Sequence, residues 1–241
     1  MNDNFINSII IDWEKVPESS YIRDIAALRS AKEIRLQRPV TFFIGENGTG
    51  KSTLLEAVAI AAGFNPEGGS KSNSFSTYDS HSELCGAIRL IKSFRRARGG
   101  YFLRAESFYN VASMEAEANK LMGGRPQHLH ERSHGESFLY IAQNLFKANG
   151  LYFLDEPEAA LSPQRQLSLL VEIDRCVRSG SQFIIATHSP IILGYPESEI
   201  LSFDDGDIRS CVYDEAGCVG ITRLFLSDRC RVIRSLLDDG E

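Results

Sequence analysis

The segment Gly45-Glu46-Asn47-Gly48-Thr49-Gly50-Lys51-Ser52 sets the tightest limit on what this chain can fold into. It follows the β-branched and aromatic run Val40–Ile44, which predicts a buried strand. It precedes Thr53–Ala62, where Leu54, Leu55, Val58 and Ala62 recur at helical spacing before Gly63. In a strand–loop–helix of this kind the glycines let successive backbone N–H groups turn inward, and the helix N-terminus adds partial positive charge. The result is an anion cradle of the pattern GxxxxGK[ST]. Lys51 supplies a point charge for β and γ phosphates, and Ser52 a hydroxyl ligand for Mg²⁺. Gly45, Asn47, Gly48, Gly50, Lys51, Ser52 and Thr53 are therefore candidate nucleotide-binding residues. A glycine-rich turn with a chance lysine explains the same letters without a ligand.

The remaining chain alternates strand-like and helix-like segments. Ser8–Ile11, Leu84–Ile91 and Tyr101–Ala105 read as strands, the last two flanking a basic turn that holds Lys92, Arg95, Arg96 and Arg98. Asn65–Ser82 is rich in Gly, Ser, Asn and Asp and reads as a loop. Val111–Leu121 and Gly135–Ala148 read as helices joined by the polar stretch Met122–Ser133. Beyond them come a strand at Leu151–Leu154, a helix from Ser162-Pro163 to Gly180 and a strand at Phe183–Ala186. Short strands at Ile200–Phe203 and Arg209–Tyr213 precede an amphipathic helix over Arg223–Leu237. This alternation predicts an α/β fold whose parallel sheet carries helices on both faces.

Bulk properties narrow the setting. At about 150 residues per domain, 241 residues fit one large domain spanning 1–241 better than two. A net charge of −6 argues against coating nucleic acid by bulk charge. No stretch approaches the roughly 18 consecutive apolar residues that cross a bilayer, so no membrane partner is expected. The start, MNDNFINSIIIDW, lacks the basic and longer apolar parts of a secretion signal, and five cysteines form no CxxC pair. Both point to a reducing cytoplasm.

Three further motifs carry chemistry. Leu151-Tyr152-Phe153-Leu154-Asp155-Glu156 puts two acids at the carboxyl end of a buried strand, where α/β sheets bind ligands. Successive strand residues diverge, which gives the acids different roles, Asp155 toward Mg²⁺ and Glu156 toward an attacking water. A solvated pair of acids is the plain alternative. His188, in Ala186-Thr187-His188-Ser189-Pro190, ends the next apolar strand, where it would meet a γ-phosphate or its water, or else satisfy the core. Ser133-His134-Gly135-Glu136-Ser137 opens a helix, and offers either a second anion site or a capping box of Ser133 with Glu136.

Together these motifs resemble the ATP-binding-cassette (ABC) ATPase family. GENGTGKST is similar to its Walker A, SHGES to its signature, LYFLDEP to its Walker B with catalytic glutamate, and THS to its switch histidine. The spacing agrees as well: 82 residues from Lys51 to Ser133, 22 more to Asp155 and 33 more to His188. ENGTGKSTLLEAVA and DEPEAALSP look most like the soluble, non-transporter, SMC-related ATPases and small AAA-type ATPases. The resemblance implies a P-loop NTPase fold of ABC type, with a mainly parallel central sheet, a small antiparallel β part and a short helical lid near 107–148. It implies ATP and Mg²⁺ as cofactors, Glu156 and His188 as catalytic residues, and Ser52 with Asp155 at the metal. It further implies a head-to-tail homodimer with ATP sandwiched between copies, in which Ser133 and Gly135 complete the partner's site.

The departures are specific. His134 stands where the signature has its first glycine, Glu136 replaces its glutamine, and Ser162 takes the place of an aspartate in the loop after Walker B. Glu106 is the best-placed substitute for the missing Q-loop glutamine, and Tyr21 is either an adenine-stacking aromatic or an ordinary core or surface tyrosine. No sustained heptads predict the coiled-coil arms of SMC proteins. The expected output is a switch that acts on a separate effector protein. Two alternatives are a transporter's ATPase subunit and a DNA-binding module using Arg95, Arg96, Arg98 and Arg104 among Phe94, Tyr101 and Phe102; a solvated basic hairpin explains the same residues without DNA.

Overall fold

The computed structural model describes residues 3–70, 83–104, 139 and 142–238. Ser133, His134, Gly135, Glu136, Glu106, the Val111–Leu121 helix and most of the lid lie outside them. Of that region Leu139 and residues 142–145 are helical.

Among the described residues ten strands form two sheets: β1 (Ile6–Ile11), β2 (Glu33–Arg35), β3 (Val40–Ile44), β4 (Gly69–Ser70), β5 (Ile88–Lys92), β6 (Gly99–Arg104), β7 (Gly150–Asp155), β8 (Gln182–Ala186), β9 (Glu199–Ser202) and β10 (Arg209–Cys211). The larger sheet has the order β10-β9-β3-β8-β7-β6-β4. Its strands from β9 to β6 pair parallel, and β10 and β4 pair antiparallel at the edges. The smaller sheet, β2-β1-β5, is antiparallel. The helices are α1 (Ala26–Ser30), α2 (Lys51–Ala61), α3 (Pro163–Arg178), α4 (Pro190–Leu193), α5 (Gly217–Ser227) and α6 (Arg229–Asp238). This is the α/β, mostly parallel architecture that the alternation predicts, with the antiparallel part that the ABC resemblance implies.

The central strands are buried on both faces, so they read as continuous apolar runs rather than alternating ones. Alternate residues still sort to opposite cores. Phe43, Phe153 and Ile184 join α2 and β1 in one core, while Phe42, Tyr152, Phe183 and Ile185 join α3 and α4 in the other. Gln182, at the start of β8, ties the smaller sheet to the larger. Its side-chain oxygen accepts the backbone N–H groups of Phe5 and Ile6, both at 2.9 Å, and its amide donates to Ile6 O.

Four expectations change. Glu83–Ala87, the first part of the anticipated Leu84–Ile91 strand, is a 3-10 turn, with β5 following it. The basic turn does not join a hairpin: β5 pairs with β1, whereas β6 pairs with β7 and β4 in the other sheet. Burial of β6 beside β7 outweighs the short turn that suggested a local pairing. The single helix over Arg223–Leu237 is two helices, parted at Asp228, whose carboxylate accepts the N–H of Arg231 and caps α6. Ser162 precedes α3 without a side-chain capping bond, although Pro163 does occupy the first turn.

Candidate nucleotide site

Strand β3 delivers the chain at Gly45, and the loop reaches α2 six residues later. Gly45, Gly48 and Gly50 all have positive φ, which is how so short a link reverses direction. At Gly50 the requirement is also steric, since a Cβ would lie 2.7 Å from Ile25 Cγ2. Lys51, the first residue of α2, is only 4% exposed. Its ammonium donates to the backbone carbonyls of Gly45 and Glu46, both at 2.8 Å. Burial pushes the Lys51 pKa below the usual lysine range, against the pull of Glu156, Asp204, Asp155 and Glu46. The side chain thus folds back over the loop as a desolvated cation.

Asp155 closes β7 and is buried. Its Oδ1 accepts the Ser52 hydroxyl at 2.8 Å, joining residues 103 positions apart. Its Oδ2 lies 4.0 Å from Nε of Arg104, which also pairs with Glu56 of α2 at 2.8 Å. Glu156 adopts a left-handed conformation (φ 47°, ψ 52°), while its N–H is held by Ala186 O of β8 at 2.9 Å. That kink swings its carboxylate away from Ser52 and toward His188, with Oε1 3.7 Å from His188 Nε2. Among the described residues, His188 Nε2 is shielded from solvent and has no hydrogen-bond partner.

The fold therefore gathers Lys51, Ser52, Asp155, Glu156 and His188 at the carboxyl ends of β3, β7 and β8, and the two adjacent acids do diverge. A hydroxyl and a carboxylate at hydrogen-bonding distance form the hard oxygen set that Mg²⁺ prefers. Among the described residues no group of three or more His, Cys, Asp or Glu side chains is placed to hold a metal ion.

Tyr21 is 59% exposed and stands at the rim of a cavity of about 820 Å³ beside the loop. Asp24, Asn47, Thr49 and Asp204 also line it. Of the arginines considered for DNA, Arg95 contacts Asp3 O, Asn149 Oδ1 and Gly180 O and lies over the Phe5 ring. With Arg104 held by Glu56 and Asp155, two of the four are engaged internally.

Two acids at the site carry no motif of their own. Asp204, after β9, accepts the Glu46 N–H at 2.9 Å and steadies the entrance to the loop. Nothing local marks it, because it lies 158 residues from its partner. Glu158, two residues after Glu156, accepts the Thr187 hydroxyl at 2.8 Å and the His188 N–H at 2.5 Å. Its place beside two conspicuous acids was the available signal.

No curated protein matches the chain. Among solved structures it is similar to the SMC head domain from Thermotoga maritima, at 14% identity and a TM-score of 0.45, over 86% of this chain and 98% of that one. It is also similar to cbiO1 from Clostridium perfringens, described as part of the ABC transporter complex cbiONQ, at 20% identity and a TM-score of 0.45, over 86% and 91% of the two chains. A family described as "AAA domain" matches residues 21–122, and one described as "AAA domain, putative AbiEii toxin, Type IV TA system" matches residues 88–194. The first match contains Lys51 and Ser52 and the second contains Asp155, Glu156 and His188, so the two halves of the site each fall within a match to an AAA-type domain.

Proposed function

We propose that the protein binds ATP with Mg²⁺ and hydrolyses it, using Glu156 and His188. The observation that carries this reading is the 2.8 Å contact between Ser52 and Asp155, which joins the phosphate loop to the strand that bears Glu156. Lys51 exchanges its two carbonyl partners for phosphate oxygens, and the loop's N–H groups hold the same anion. The cavity edged by Tyr21 takes the base. Ser52 and Asp155 would hold Mg²⁺, which would supply charge neutralisation to the phosphates. Glu156 orients a water and accepts its proton. His188 Nε2, without a hydrogen-bond partner among the described residues, donates to the γ-phosphate. Isothermal titration with ATP–Mg²⁺ tests the first half of the reading. Binding by the wild type and its loss in Lys51→Ala supports it, and unchanged binding in that variant overturns it.

The working unit in this reading is a head-to-tail homodimer with two ATP molecules between copies. Ser133 and Gly135 would complete the partner's site, by likeness to the ABC signature. ATP then adds adhesive contacts, and loss of the γ-phosphate lets the copies part. A separate effector protein reads that state. Ser133→Arg should abolish the ATP-dependent dimer in light scattering while leaving ATP binding by the single chain intact. A persistent dimer would reject the composite site.

A further inference from the structure

We propose that Glu158 is a positioning residue, a carboxylate clamp that sets His188 against Glu156; this rests on the reading of those two residues as the hydrolytic pair. Glu158 lies in the 3-10 turn Pro157–Ala160 that follows β7, and reaches across to the segment after β8. Its two oxygens serve different partners, one accepting the His188 backbone N–H and the other the Thr187 hydroxyl. Thr187 is fully buried. Its Oγ1 also accepts the Ser189 N–H at 3.0 Å, so the three residues form one hydrogen-bonded turn.

That turn is anchored on its far side as well. Ser189 donates to Gln166 Oε1 at 2.5 Å and caps α4 by accepting the N–H groups of Ile191 and Ile192. Gln166 donates onward to Leu161 O, at the end of the same 3-10 turn that carries Glu158. The loop after Glu156 and the loop containing His188 are thus locked in a closed ring of hydrogen bonds. Among the described residues the His188 Nε2 has no hydrogen-bond partner, and it lies 3.7 Å from Glu156 Oε1. Its distance to Glu156 is therefore set by the backbone, and the backbone is held by Glu158. Misplacement of a catalytic group by about 1 Å costs up to 100-fold in rate while leaving binding elsewhere intact. Bonds from a carboxylate are also about twice as strong as neutral ones, which suits a clamp.

The test compares Glu158→Ala, Glu158→Gln and Thr187→Val with the wild type in steady-state ATP hydrolysis. In parallel, NMR of histidine-labelled protein follows the His188 backbone amide and ring, assigned with His188→Gln. Glu158→Ala is expected to lower kcat about 10- to 100-fold with the KM for ATP held within about twofold. It should also shift the His188 signals. Glu158→Gln keeps an acceptor for the His188 N–H and a donor for Thr187 Oγ1, and should remain within about threefold of wild type. Thr187→Val removes the bonds to Glu158 and from the Ser189 N–H but no charge, and carries the test if Glu158→Ala does not fold. Wild-type kcat and unmoved His188 signals in Glu158→Ala, or in Thr187→Val where that variant stands in, would overturn the clamp, as would equal losses in Glu158→Ala and Glu158→Gln. If the wild type hydrolyses no ATP, the proposed function falls, and the His188 signals still decide whether Glu158 positions that residue.

Discussion

Lys51 and Tyr152 are both buried polar groups, and burial acts on them in opposite senses. Lys51 sits under its loop donating to two carbonyls, and desolvation lowers its pKa against the pull of the nearby acids. Such a cation gains when phosphate replaces the carbonyls, and Lys51→Ala should weaken ATP binding about 10- to 100-fold, the value of a charge-assisted bond. Tyr152 is pushed up to about 12 by burial, with its hydroxyl donating to Lys147 O and accepting Lys147 N–H. Because the folded state holds this proton more tightly than the unfolded chain, the resulting stability is complete below pH 10 and disappears as pH rises through 12. It amounts to about 3 kcal/mol. Denaturant unfolding between pH 9 and about pH 12 should show this decline in the wild type, and a shallower one in Tyr152→Phe. The types and spacing of Lys51, Ser52, Asp155, Glu156 and His188 were legible in the sequence, because each terminates an apolar strand or opens a helix. Glu158 and Asp204 were not, since the site residues they hold, Thr187 and His188 for the one and Glu46 for the other, lie 29 to 158 residues away.

At the scale of elements, regular segments with strong local signals were readable and those decided by packing were not. β3 falls on Val40–Ile44 as the apolar run predicts, and α2 begins at Lys51, within two residues of expectation. The β5–β6 hairpin failed because the choice between two sheets depends on which neighbour buries each strand, and a basic turn holds no information on that. The break between α5 and α6 turns on Asp228 acting as a cap, where the amphipathic pattern runs on past it. Asp228→Ala should therefore lower stability by about 0.5–2 kcal/mol, read as a shift in denaturation midpoint. The start of α2 is more demanding. Gly50 has φ 95° and no room beside Ile25, so Gly50→Ala should cost about 2–4 kcal/mol and weaken ATP binding through a displaced loop.

Across the whole molecule, five parallel strands separate two apolar cores, and the candidate site lies on the edge between them. Ser52 projects from the helix on one face, while His188 follows the central strand that both cores share. No helix among the described residues is long and apolar enough to cross a membrane. The parallel sheet was legible because strands buried on both faces read as unbroken apolar runs. The smaller antiparallel sheet came only from the family resemblance, since β2 is three residues long and is recruited by β1, which Gln182 ties to the larger sheet, rather than by its own pattern. A fold of this kind brings ATP to Glu156 only if the loop and the β7 end act as one unit. Phosphate release at saturating ATP–Mg²⁺, compared between the wild type and Glu156→Gln at equal nucleotide occupancy, tests that claim most directly. Turnover by the wild type and a loss of about 100-fold or more in the variant is the predicted result; equal rates in the two proteins would contradict it.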